Sequence, residues 1–256
     1  MIINPFADPE YLIDYNLRVK DVKAGRTPKR KKGHREGEAA VSNVVVSNYN
    51  NLEFELQAPR DGSDKELYTF DKSLARLQSA GFERHPRPSE VFTLLADGLE
   101  GKLSGVQKDI CNDMFKDHGE WLSLAFERKG DILLAYVDPR GLVLNEDNDK
   151  YEKKRFGYSE LKKFDIHGKE SNELIDLEEF SNNFVRFLYG RSFKDLPQDM
   201  KEGDKRAQLY LPSDGVVWPV ARGGFDDGYY VDGCNYVIGA SRGIRSTQKN
   251  FQRKRR

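Results

Sequence analysis

Segments with helical and strand-like patterns follow one another in blocks along this chain. Residues 68–118 show the apolar spacing of helices, and a strand hairpin with a turn at Lys129–Gly130 follows over residues 121–137. Residues 176–190 predict another helix, and short strand candidates between glycine turns occupy residues 207–246. Regular β-α-β alternation indicates a parallel sheet, whereas separate blocks indicate an α+β fold. We therefore predict an α+β domain with a mostly antiparallel sheet and flanking helices.

The ends of the predicted helices carry recognisable signals. Asp and Ser side chains accept hydrogen bonds from the first turn of a helix, and glycine commonly ends one in the left-handed conformation. The predicted N-caps are Asp71, Ser89 and Asp176, and the predicted terminating glycines are Gly81 and Gly190. The charged residues 145–165 are expected to form an exposed loop or short edge strands.

Charge is distributed unevenly, although the formal net charge of the chain is zero. Residues 18–37 hold nine Lys or Arg against two acidic residues, and residues 249–256 hold five basic residues and no acid. Charge clusters without apolar periodicity are typical of a solvated arm. We therefore predict a basic, flexible arm over residues 1–40, a folded domain over 41–250 and a basic tail over 251–256. Because clustered Lys and Arg also bind phosphates by releasing counterions, nucleic-acid binding through these ends stays open.

The motifs that usually reveal an enzyme are missing from the sequence. No phosphate-binding loop, dinucleotide fingerprint, HExxH, GxSxG or EF-hand loop occurs. Cys111 and Cys234 lie far apart, and the four histidines are scattered, so neither a disulfide framework nor a zinc site is indicated. We predict a protein that is not an enzyme and needs no cofactor or metal. A hydrolase with an unrecognised site remains an alternative.

The sequence also gives an expectation about location. No apolar run approaches the roughly 18–20 residues of a membrane span, and residues 1–10 lack the layout of a secretory signal. We therefore expect no membrane span and a cytoplasmic protein, with surface display still open.

Residues 219–247 differ in composition from the rest of the chain, because they contain no Lys, Glu, Gln, Trp or Met. Their middle part, FDDGYYVDGCNYVIG at residues 225–239, uses only residue types that an Asn codon can specify after changes at its two adenines. The five missing types are ones that such changes cannot produce. The pattern predicts a coding segment rewritten by adenine-directed mutagenesis.

The same segment has the chemistry of a binding surface. Tyr offers rigid area with a polar tip, while Gly, Asn and Asp adapt their hydrogen bonds, as in antibody paratopes. Its three aspartates could bind a hard cation, but their spacing fits no calcium loop. We predict one exposed patch that binds a macromolecular partner, with a protein expected. The patch consists of Phe225, Asp226, Asp227, Tyr229, Tyr230, Asp232, Cys234, Asn235 and Tyr236.

Two short motifs flank this segment, Arg222-Gly223-Gly224 before it and Gly243-Ile244-Arg245 after it. With them the chain resembles the variable proteins of diversity-generating retroelements, including those of nanoarchaeal organisms. The resemblance implies a C-type lectin fold with a variable region near residues 220–246. Calcium-dependent lectins bind sugar through Glu-Pro-Asn or Trp-Asn-Asp, and neither occurs here, so calcium-dependent sugar binding is not implied.

The residues around the patch are expected to form its scaffold. Guanidinium groups suit this role because they bond several carbonyls or carboxylates at once, although a position at the rim, touching ligand, is the alternative. Glycines in and around the patch are expected to supply turns and positive φ angles. The scaffold residues are Arg222, Gly223, Gly224, Arg242, Gly243 and Arg245, and the glycines expected at turns are Gly223, Gly224, Gly228, Gly233 and Gly239.

Overall fold

The computed structural model describes most of the chain from residue 46 to residue 246. The described ranges are residues 46–55, 60–61, 64–65, 67–114, 119–145, 147–203, 206–223, 229–233 and 239–246. The predicted arm at residues 1–40 and the predicted tail at 251–256 lie outside them.

Helices lie in two groups, one before the long hairpin and one after it. The α-helices of the described residues are α1 (Phe70–Ser79), α2 (Pro88–Leu99), α3 (Gly105–Met114), α4 (Asn182–Tyr189) and α5 (Gln198–Lys201), and 3-10 helices span Leu177–Glu179 and Phe193–Asp195. None of these helices is long and apolar enough to cross a membrane.

The predicted N-caps Asp71 and Ser89 are wrong, whereas Asp176 is the N-cap residue of the 3-10 helix Leu177–Glu179, without a side-chain cap hydrogen bond. The predicted terminating glycines are confirmed. Thr69 precedes α1, and Arg87 precedes α2 because Pro88 takes the first helical position, where its missing N–H costs nothing. The predicted helix from Asp176 divides into a 3-10 turn and α4, whose Ser181 side chain accepts from the Phe184 amide. Gly81 and Gly190 follow their helices with φ of 82° and 72°, in the left-handed region that favours glycine.

Strands make up most of the remaining regular structure. They are β1 (Val46–Tyr49), β2 (Leu52–Glu55), β3 (Arg60–Asp61), β4 (Asp64–Lys65), β5 (Leu67–Tyr68), β6 (Glu120–Lys129), β7 (Ile132–Val137), β8 (Arg140–Asn145), β9 (Lys150–Gly157), β10 (Glu160–Asp165), β11 (Leu174–Asp176), β12 (Gln208–Tyr210), β13 (Val217–Arg222), β14 (Val231–Asp232), β15 (Gly239–Ala240) and β16 (Ile244–Ser246). The predicted hairpin is confirmed as β6 and β7, but its turn lies one residue later, at Gly130–Asp131. The charged residues 145–165 contain β9 and β10.

The largest sheet has the order β10-β7-β6-β13-β14-β12-β11, with β15 pairing with β5 and β6. Its pairs are antiparallel except β12 with β14 and β15 with β6. Smaller sheets join β1, β2 and β16, then β3 with β4, and β8 with β9. The predicted α+β class with mostly antiparallel pairing is therefore confirmed.

Both faces of the large sheet bury apolar side chains. On one face, residues such as Phe126 and Leu133 pack with apolar residues of α2 and α4. On the other face, Trp121 and Leu134 pack with Tyr151 and other residues of the β8–β9 hairpin. The central strands are thus covered on both sides, so their side chains are buried on either face of the sheet.

Candidate functional site

The structure describes three of the nine residues predicted to form the binding patch. Tyr229, Tyr230 and Asp232 are buried, with 7%, 3% and 0% of their surface exposed. Their predicted exposed position is therefore wrong. The other six predicted residues, Phe225, Asp226, Asp227, Cys234, Asn235 and Tyr236, lie outside the described residues.

The pairing of β14 explains this burial. Val231 lies opposite Arg222 of β13 on one side and Leu209 of β12 on the other. A strand inside a sheet that is covered on both faces buries side chains of both orientations. The run Tyr-Tyr-Val has high strand propensity, which is the sequence signal that could have identified this strand.

The two tyrosines before β14 make specific contacts inside the protein. The Tyr189 hydroxyl donates to the Tyr229 carbonyl oxygen at 2.5 Å, and the Tyr230 ring meets the Tyr210 ring edge-on, with 5.8 Å between centroids. Burial, and then the nearby charge of Asp199, raises the pKa of Tyr229 to about 12. These contacts join residues 229–230 to the core, where no ligand reaches them.

We use the term frame for residues 217–223, 229–233 and 239–246, which contain strands β13 to β16. At its centre the fully buried Arg242 binds two acidic side chains and one carbonyl. Its guanidinium donates to both oxygens of Glu120 at 2.9 and 3.1 Å, to Asp113 Oδ2 at 2.6 Å and to the Glu55 carbonyl at 2.6 Å. Arg242 thereby connects strand β2, helix α3 and strand β6 to the frame.

The charge balance of this cluster keeps Arg242 ionised. Burial alone would lower the pKa of Arg242, but the charges and hydrogen bonds of Glu120 and Asp113 raise it above its ordinary value. Arg222 is also buried and donates to the Met114 carbonyl at 2.7 Å and the Gly223 carbonyl at 3.1 Å. Its guanidinium lies 3.5 Å from Glu120 Oε2. Both arginines thus make the carbonyl and carboxylate contacts that a scaffold role requires.

The glycines of the frame are needed for space. The positive φ angles predicted for glycines are absent at three described positions, Gly223, Gly233 and Gly239, so that prediction is wrong for them. Gly243 also has no positive φ. A Cβ atom on Gly223 would lie 2.1 Å from the Tyr230 ring, and one on Gly243 would lie 2.3 Å from the Phe82 ring. These glycines let aromatic rings pack directly on the backbone. Gly224 and Gly228 lie outside the described residues.

Strand β16 connects the frame to the sheet that contains β1 and β2. Arg245 of β16 is opposite Glu53 of β2 and forms an ion pair with it, and its guanidinium lies 5.7 Å from the centre of the Phe82 ring. The Gly243 amide donates to Glu55 Oε2 at 2.9 Å. The Gly-Ile-Arg motif therefore bonds to β2 through main chain and side chains.

A buried serine–histidine pair is the arrangement closest to catalytic chemistry. Ser73 Oγ lies 2.6 Å from His85 Nε2, as in a serine activated by a base. Both side chains are fully buried, so no substrate reaches the hydroxyl in this conformation. Burial, and then the charges of Arg76 and Arg84, lowers the pKa of His85 to about 3, so the ring is neutral.

Two other groups bear on possible chemistry. Burial raises the pKa of Cys111 to about 11, which keeps this free cysteine in its unreactive thiol form. Within the described part of the chain, no three His, Cys, Asp or Glu residues come together as a metal site would need.

His85 gives a prediction for the pH dependence of stability. Its pKa is about 3 in the folded state and about 6.5 when unfolded, so below pH 6.5 the unfolded state takes up the proton. The stabilisation is complete above pH 6.5 and falls with pH, by about 2 kcal/mol between pH 7 and pH 5. Urea unfolding at several pH values measures this loss.

The control variants separate His85 from other titrating groups. His85→Gln removes the titration, so its stability should change little between pH 7 and pH 5. His167→Gln replaces an exposed histidine and should keep the loss seen in the unmodified protein. Equal pH dependence in the unmodified protein and His85→Gln would contradict the prediction.

The chain has no significant match among protein-family models, curated proteins or solved structures.

Proposed function

We propose that the protein displays residues 224–228 and 234–238 for binding a macromolecular partner, with a protein expected. The observation that supports this is the burial of the frame on both sides of each segment. The first segment runs from buried Gly223 to buried Tyr229, and the second from buried Gly233 to buried Gly239. A loop tolerates substitutions when the backbone on both sides of it is fixed by other contacts.

The structure narrows the set of residues proposed to contact the partner. Tyr229, Tyr230 and Asp232 are excluded because they are buried. The remaining candidates are Phe225, Asp226, Asp227, Cys234, Asn235 and Tyr236. Aromatic residues such as Phe225 and Tyr236 provide most of the energy in many interfaces, about 2 kcal/mol or more for a good anchor.

Diversification by a retroelement and a C-type lectin fold belong to this proposal. Support comes from the codon pattern of residues 225–239 and from the flanking motifs, whose residues other than Gly224 belong to the frame. The mixed α+β architecture with mostly antiparallel strands is compatible with that fold.

A display library tests the proposal directly. Residues 225–227 and 234–236 are randomised in the full chain with Asn-derived codons, and the library is selected for binding to purified streptavidin. We expect most members to resist proteolysis like the parent and the selection to yield specific binders. A matched library that randomises Tyr229, Tyr230 and Asp232 should contain few protease-resistant members. Equal losses of folded protein in both libraries would disprove a display role for the two segments.

The genome supplies a second test. A near-copy of the DNA for residues 220–246, with Asn codons at the diversified positions, is expected beside a reverse-transcriptase gene. A genome sequence that contains neither would remove the retroelement from the proposal.

A further inference from the structure

A concave surface lies on the face of the large sheet that also carries the β8–β9 hairpin. It has a volume of about 710 Å³ and is bordered by strands β6, β7, β9 and β10. We call it the aromatic groove. The residues used in the argument are Lys129, Ile132, Tyr136, Phe156, Tyr158 and Lys163.

Three aromatic rings of the groove contact one another. The Tyr136 ring centre lies 5.0 Å from that of Phe156 and 5.1 Å from that of Tyr158. Tyr158 is 47% exposed and Ile132 is 40% exposed. Exposed apolar side chains that form one patch mark a binding surface more often than isolated ones do.

The charged groups around the rings are mainly positive. Lys129 and Lys163 are the charged residues that line the groove in the described part of the chain. Glu127 lies next to it, because its Oε1 is 3.8 Å from Lys129 Nζ and its Oε2 accepts from the Tyr136 hydroxyl. Lys153 Nζ lies 4.9 Å from the Tyr136 ring centre and 5.2 Å from the Phe156 ring centre, and it also bonds to Glu127 at 2.7 Å. The electrostatic field at the groove therefore favours an anionic ligand.

A backbone irregularity in β9 lies close to the groove. The pairing of β8 with β9 shifts register next to Gly141, and Arg155 has a φ of 51°. A Cβ atom on Gly141 would lie 2.1 Å from the Lys154 carbonyl oxygen, so only glycine fits there. Such bulges redirect side chains and often occur beside functional sites. Within the described part of the chain, the side chains of Arg155 and Lys163 form no ion pair.

We propose that the aromatic groove binds single-stranded nucleic acid, with bases stacked on Tyr158 and Phe156 and phosphates beside Lys129 and Lys163. Aromatic rings within a positively charged groove are the shared features of proteins that bind single strands without sequence preference. The volume of the groove lies within the range of ordinary ligand-binding pockets, roughly 300–1,000 Å³. This activity is separate from the proposed display function, because it uses no residue of the frame.

Fluorescence anisotropy with labelled 12-residue oligo-dT and oligo-rU, and the full chain, tests this proposal. Tyr158→Ala should weaken binding about 5- to 150-fold through lost stacking, while Tyr158→Phe should retain it. Lys163→Gln should reduce the slope of log affinity against log salt by about 0.7, the share of one phosphate contact. Lys194→Gln, the same charge change at an exposed site on the 3-10 helix Phe193–Asp195, should leave the slope nearly unchanged.

Several results would overturn the proposal. Absence of oligonucleotide binding would do so. Equal affinities and equal salt slopes for the unmodified protein, Tyr158→Ala and Lys163→Gln would also do so, because the binding would then take place outside the groove, at the basic ends of the chain. Tighter binding of a poly-glutamate peptide than of either oligonucleotide would show that the groove takes acidic peptides.

Discussion

Replacing Arg242 with alanine is expected to lower the free energy of unfolding by about 3–5 kcal/mol, the cost of breaking a buried ion pair. The substitution removes the guanidinium that bonds the buried Glu120 and Asp113, and the Arg222 guanidinium, 3.5 Å from Glu120, balances only one of these two carboxylates. It also removes the donor to the Glu55 carbonyl. For a domain of this size each kcal/mol shifts the melting temperature by about 2–4 °C, so the midpoint should fall by roughly 6–20 °C.

Urea unfolding of the full chain measures this loss, and two variants identify its cause. Arg245→Ala removes a half-exposed arginine paired with Glu53, and a pair of this kind contributes about 0–1 kcal/mol. Arg242→Leu combined with Asp113→Asn should be more stable than Arg242→Leu alone, because it neutralises the Asp113 carboxylate and keeps Glu120 as the carboxylate beside the buried Arg222 guanidinium. A loss below about 1 kcal/mol in Arg242→Ala would contradict the central role of this residue.

Features that depend on residues close together in the chain could be predicted from the sequence. The β6–β7 hairpin and the helix ends at Gly81 and Gly190 depend on residues that are close together in the chain. The antiparallel character of the sheet also followed from the order of the elements. The N-caps were harder, because Pro88 and the extended residue Thr69 determine the starts of α2 and α1.

The position of β14 could not be derived from local sequence. It lies between β13 and β12, and the parallel pairing with β12 joins residues that are not connected by a hairpin. Composition suggested a binding loop because tyrosine and aspartate are common on such surfaces. The same residues suit a covered strand when their polar atoms find partners inside the protein, as the carbonyl of Tyr229 does.

The carboxylates that bind Arg242 were missed for a similar reason. Glu120 begins a strand and Asp113 lies near the end of a helix, and both are more than 100 positions before the arginine. Nothing in their local sequence distinguishes them from exposed acids. The arginine itself was identified by its flanking motif, and the structure supplies its partners.

The proposed display of Phe225 and Tyr236, beside the buried tyrosines of the frame, leads to the second large prediction. Tyr229→Ala and Tyr230→Ala should each lower the free energy of unfolding by about 3–5 kcal/mol, as large-to-small changes in a core do. Each removes a buried ring, and Tyr230→Ala also removes the contact with the backbone at Gly223. By contrast, Phe225→Ala and Tyr236→Ala should change stability by about 0.5 kcal/mol or less, the usual effect at a surface position.

Denaturant unfolding of the four single variants separates these two groups, and Tyr158→Ala is a matched control because Tyr158 is a half-exposed tyrosine outside the frame. Its loss should lie between the two groups, because the Tyr158 ring is half-exposed but contacts the Tyr136 and Phe156 rings. If Phe225→Ala or Tyr236→Ala costs as much as Tyr229→Ala, that residue belongs to the core and cannot vary freely, and the display proposal loses it. If Tyr229→Ala and Tyr230→Ala instead cost as little as Tyr158→Ala, the frame does not depend on these rings, and β14 would have to be held by its backbone pairing alone.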